Sequence, residues 1–146
     1  MNKYLEPIVD FLKSHDWNTA ETEFINLQSN IVDNLEKENI GFEIMQDILV
    51  LMEKYPLVEF GSPGPLTHFI ESFYNENEKI YENQLRQSVE ENPSIHTVWL
   101  LNRVINGSQG EKKIELIEIL NSTRKNERLP KSIRNVAENF FKYHND

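Results

Sequence analysis

The sequence predicts an all-α protein of about eight helices, arranged as a HEAT-like stack of helical hairpins or as an irregular helical bundle. Three observations carry this. Apolar residues recur at steps of three and four along most of the chain, which places them on one stripe of a helix. No stretch alternates apolar and polar residues long enough for a strand, and Pro56 to Phe60, "PLVEF", comes nearest. Glycine and proline fall between the periodic stretches, where they punctuate helices.

The elements follow in chain order. In "WNTAETEFINLQSNIVDNLEKEN" one stripe runs through Ala20, Phe24, Leu27, Ile31 and Leu35. Asn18, with Glu21 three residues on, resembles a capping box. In "NIGFEIMQDILVLMEKYP" Ile44, Met45, Ile48, Leu49 and Met52 share a face between Gly41 and Pro56. The stretch "FGSPGPLTHF", Phe60 to Phe69, is wrong for a phosphate loop. Pro63 and Pro65 have no N–H to offer, and no Lys or Arg lies between Lys54 and Lys79. It suits a sharp turn that starts a helix near Pro65, with Ser62 as its cap.

A repeat follows. Phe69, Ile70, Phe73 and Tyr74 form an i, i+1, i+4, i+5 quartet, matched by Leu100, Leu101, Val104 and Ile105 and again by Val136, Ala137, Phe140 and Phe141. Between them lie two amphipathic stretches, Ile80, Tyr81, Leu85 and Val89, then Ile114, Ile117 and Leu120. A helix pair recurring at this spacing is the pattern of an α-solenoid. Ser108 with Glu111 has capping-box spacing, and Pro130 suits a first helical turn.

The 146 residues, 38% of them hydrophobic, fit one domain spanning 1–146. Acidic helices occupy 1–55 and helical-hairpin repeats 56–146. No apolar run reaches the roughly 18 residues of a membrane span. Glu6, Pro7 and Asp10 interrupt the first apolar stretch, which argues against a secretory signal. The absence of cysteine removes disulfides and thiolate chemistry and suits the cytoplasm.

Charge is uneven. The net charge is −9, yet residues 1–60 hold twelve acids and four bases while residues 107–146 hold six and eight. Such a chain is repelled by phosphate backbones and anionic lipid, so neither nucleic acid nor membrane is expected as a partner, whereas a basic protein is. His15, His68, His96 and His144 are scattered without metal-ligand spacing. Glu43 and Asp47 lie off the apolar face, and no nucleophile elbow or dinucleotide fingerprint occurs. No catalytic residue, cofactor or metal is expected. Trp99 reads as core, with Asn102 and Arg103 exposed.

The segments "FGSPGPLTHFIE" and "HTVWLLNRVING" resemble a family of small bacterial immunity proteins from polymorphic-toxin and contact-dependent growth inhibition systems. The likeness covers mainly residues 56–125. It implies a cytoplasmic protein that binds and blocks a cognate toxin domain, often a nuclease, and it implies no catalytic residues. Nucleases carry basic clefts, so the charge pattern points the same way. On that reading the contact residues are Glu36, Glu43, Asp47 and Glu59, with Tyr55 and Phe60 as aromatic anchors. The alternative function is a HEAT-like scaffold or adaptor for another cytoplasmic partner.

Overall fold

Eight α-helices and one 3-10 turn make up the regular structure of the computed structural model, which describes residues 2–145. They are α1 (Glu6–Ser14), α2 (Glu21–Lys37), a 3-10 turn (Phe42–Ile44) running into α3 (Met45–Lys54), α4 (Pro65–Glu71), α5 (Glu78–Glu91), α6 (Ile95–Asn106), α7 (Gly110–Lys125) and α8 (Lys131–Asn145). No strand occurs among the described residues. The chain forms two compact units. One comprises the residues up to Leu51 together with Phe60–Glu78, and the other comprises Met52–Glu59 together with the residues from Lys79 onward.

In the first unit, α2 buries Phe24, Gln28, Ile31 and Leu35. The expected stripe holds at Phe24, Ile31 and Leu35, whereas Ala20 lies before the helix and is half-buried, Leu27 is half-buried, and Gln28 takes a fully buried place. Gln28 Oε1 accepts from the backbone N–H of Leu66 at 3.5 Å, joining α2 to the first turn of α4, while its Nε2 is buried without a partner. Phe24 stacks on Phe11 with ring centroids 5.5 Å apart and meets Phe60 at the same separation, tilted.

The expected cap at Asn18 does not form. Ala20 is the N-cap of α2 and has no side-chain cap, so the helix begins two residues beyond Asn18, whose N–H donates to Asp16 Oδ1 at 3.0 Å in the preceding turn. The other end closes tightly. Asn39 takes a left-handed φ of 57°, the Ile40 N–H donates to Leu35 O at 2.8 Å and the Asn39 N–H to Glu36 O at 3.1 Å. This is a Schellman closure with asparagine in the place usually held by glycine.

The "GSPGP" turn starts α4 at Pro65, as its spacing predicts, but Ser62 is not the cap; Gly64 holds that position in extended backbone with no side-chain cap. Gly61 has a φ of 104°, and a Cβ on Gly64 would collide with the carbonyl oxygen of Phe60. Both glycines are therefore required by the turn itself.

In the second unit, α7 and α8 form the most closely packed helix pair, and α6 packs on both. The α6 N-terminus carries a complete capping box. Thr97 N–H donates to Ser94 Oγ at 3.0 Å and Ser94 N–H to Thr97 Oγ1 at 3.1 Å. The box expected at Ser108 is absent; Ser108 Oγ donates to Val104 O at 2.7 Å, closing the end of α6 rather than opening α7. Ile95 N–H donates to Pro56 O, and Ser88 Oγ to Glu53 Oε2, which ties the Met52–Glu59 segment to α5 and α6. Lys112 pairs with Glu82 at 2.9 Å and Arg86 with Glu115 at 3.5 Å, linking α5 to α7.

The three quartets are not equivalent in burial. Leu100, Leu101, Val104 and Ile105 are all buried, but of the first quartet only Phe69 and Ile70 are, and of the third only Ala137.

Candidate protein-binding groove

The first unit holds a groove of about 750 Å³. Its walls are two helical faces with the same spacing. From α2 come Ser29, Val32, Asp33 and Glu36, and from α4 and its C-cap come Pro65, His68, Phe69 and Ser72, each set at i, i+3, i+4 and i+7. This α2 face is distinct from the buried stripe of Phe24, Gln28, Ile31 and Leu35. The end of the groove is made by Asn39, Ile40 and Gly41, where the Schellman closure turns the chain, and by Phe73. Phe73 stands edge-on to Phe69 with centroids 5.2 Å apart.

The groove therefore combines apolar side chains, Val32, Ile40, Pro65, Phe69 and Phe73, with two carboxylates and one imidazole, that of His68. Asp33 and Glu36 are exposed carboxylates, and no Lys or Arg lines the cavity. Among the described residues no hydrogen bond or ion pair engages either carboxylate. The C-terminal end of α2 adds the negative pole of a 17-residue helix. Such a surface favours a cationic group carried on an apolar segment.

Of the residues expected to contact a partner, Glu36 lies in this groove. Glu43 is exposed but is committed locally: its Oε1 accepts from the Gly41 N–H at 3.1 Å, and that bond holds its carboxyl below the usual range. Asp47 is half-buried in the first turn of α3 and accepts from Asn2 Nδ2 at 3.2 Å. Neither lines the groove. Tyr55 is half-buried and Glu59 exposed, both in the second unit. Phe60 corrects the expectation. It is 0% exposed and packs on Phe24, so its ring is core and offers no anchor. Sequence reasoning misses Asp33 and the Phe69–Phe73 pair, which line the groove. The signal for Asp33 lies in the second, more polar face of α2, but which helix faces it is not a local property of the sequence.

The histidines do not form a site. No group of three or more His, Asp or Glu among the described residues is placed to hold a metal ion. His96 is buried against Trp99, with ring centroids 5.1 Å apart, and burial, with the Arg103 charge second, pushes its pKa down to about 3. It is a neutral core imidazole at ordinary pH. Trp99 is half-buried rather than core, and the Arg103 guanidinium lies 4.8 Å from its ring centre. Asn102, expected in solvent, is buried. A second, smaller cleft of about 300 Å³ in the second unit is lined by Glu90, Glu115 and Glu118 beside Val89, Ile119 and Leu129. No helix among the described residues is long and apolar enough to cross a membrane. Compared with known protein families, curated proteins and solved structures, the chain matches none.

Proposed function

We propose that this chain is a binding protein that neutralises a basic protein partner, and that the partner is the toxin domain of a cognate bacterial effector, a nuclease in the narrowest form of the reading. The observation that carries it is the α2–α4 groove, where two exposed carboxylates, Asp33 and Glu36, stand beside apolar side chains and none of the lining residues is Lys or Arg. The excess of acids over bases in residues 1–60 extends the same negative field along the sequence. A toxin that grips phosphate presents the complementary surface. Charge would steer the encounter, and aromatic contacts would supply most of the affinity.

The resemblance of "FGSPGPLTHFIE" and "HTVWLLNRVING" to immunity proteins supports the toxin as partner over an unrelated one. The lack of cysteine fits a cytoplasmic site of action. In this reading the chain performs no turnover of its own.

The test is co-expression of the chain with the product of the gene immediately upstream. Rescue of growth together with co-purification supports the immunity reading. Co-purification with a harmless cytoplasmic protein would instead make it a scaffold or adaptor. Turnover of a substrate by the isolated chain would sink both.

A further inference from the structure

We infer that the α2–α4 groove receives an arginine side chain of the partner, carried on an apolar segment. This rests on the partner reading above and narrows it to one site and one residue type.

The walls set the requirement. Asp33 and Glu36 lie three residues apart on α2, both exposed, and their carboxylates bond to no other side chain among the described residues, so they are open to an incoming cation. The C-terminal end of α2 is beside them, with Asn39 and Ile40 in the groove, and it adds negative potential where a cation would sit. Across the groove stand the exposed His68 and the edge of the largely buried Phe69, the half-buried Phe73 closes its end, and Val32 and Ile40 complete the apolar surface. A cation entering here must give up part of its hydration.

That favours arginine over lysine. A guanidinium is planar and weakly hydrated, pairs with a carboxylate through two parallel N–H donors, and lies flat on aromatic rings. An ammonium is compact and strongly hydrated, so it loses more on entering an aromatic-walled space. The groove's volume of about 750 Å³ lies within the roughly 300–1,000 Å³ typical of small-ligand sites, which leaves room for apolar neighbours of the arginine.

The probe is the capped tripeptide acetyl-Leu-Arg-Leu-amide, titrated at low salt into the whole ¹⁵N-labelled chain, with lysine and citrulline versions as comparators. Saturable amide shifts should centre on residues 29–41 and 65–73, weaken for the lysine peptide and vanish for citrulline, which keeps the shape without the charge. The double variant Asp33→Asn, Glu36→Gln should weaken binding about tenfold. Asp10→Asn, Glu23→Gln removes two exposed carboxylates elsewhere in the same unit and should leave binding unchanged. The inference is overturned if citrulline or lysine binds as well as arginine, if the groove variant binds normally, or if shifts are absent or centred elsewhere. The partner reading fails separately. A captured toxin that binds the groove variant undiminished sinks this inference alone. Peptide binding at the groove, with no partner captured in co-expression, sinks the partner reading and leaves the arginine site standing.

Discussion

His144 Nε2 lies 2.6 Å from Oδ1 of Asn102, joining the last turn of α8 to the middle of α6. An amide oxygen can only accept, so the imidazole donates from Nε2. Partial burial, with the charge of Lys113 second, lowers the pKa of His144. The neutral Nε2–H tautomer is therefore the donor near neutral pH.

Asn102→Asp should reverse that shift. A carboxylate at this position faces the same imidazole and favours its charged form. The His144 pKa, read from ring-proton shifts, should rise from below 6.5 to above it. The sign for stability follows. With the folded pKa raised, the native state binds more protons than the unfolded one, so the variant should gain stability relative to the wild type as pH falls through that pKa. A pKa that stays below 6.5 would show that the contact does not control this histidine.

His96 should make the protein acid-sensitive. Its pKa of about 3 in the fold against about 6.5 when unfolded means that the unfolded chain binds the extra proton between those values. Stability is then fully present above about pH 6.5 and falls with decreasing pH, at roughly 1.4 kcal/mol per pH unit from this group. His96→Gln removes the titration. Urea unfolding at several pH values between 4 and 7 should give a shallower pH slope for the variant, whatever its stability at pH 7. Parallel slopes would refute the assignment.

The all-α class and the helix positions were legible because apolar periodicity is local. The phase of a stripe was legible only where one face is strongly apolar. In α7 two stripes have helical spacing, Ile114–Ile117–Leu120 and Leu116–Ile119–Leu120–Thr123, and packing selects the second, leaving Ile114 69% exposed. In α8 the Phe140–Phe141 pair has the spacing of core. Both rings are half-buried, and the guanidinium of Arg124 covers Phe141 at 4.2 Å from the ring centre. The groove was half legible: acidity and Glu36 pointed to the first 60 residues, but the α2–α4 pairing that builds it is a non-local contact closed by buried Gln28.

Phe60 and Leu57 separate packing from exposure within one short segment. Phe60 is 0% exposed and Leu57 is 48% exposed. Phe60→Ala should cost about 3–5 kcal/mol, through lost burial and the cavity left against Phe24. Leu57→Ala should cost less than about 1 kcal/mol. Chemical denaturation of the two variants decides this, and equal losses would contradict the burial difference.

Gly64 fixes where α4 begins and so where the His68–Phe69 wall of the groove stands. A Cβ at this position would run into the Phe60 carbonyl, a backbone group that no rotamer change can move away. Gly64→Ala must therefore open the turn, at a cost of about 3 kcal/mol or more, and shift α4 relative to α2. Gly110 is the useful contrast. Its φ is 66°, but a Cβ there meets nothing within 4 Å, so Gly110→Ala carries only the left-handed strain of about 1–2 kcal/mol. Thermal unfolding should rank Gly64→Ala well below Gly110→Ala. Amide shifts should change through residues 28–41 and 60–73 in the Gly64 variant and stay local to the α7 N-terminus in the other. A Gly64 variant as stable as the Gly110 variant, with α2 amides unmoved, would mean that the turn relaxes freely and does not hold the groove in shape.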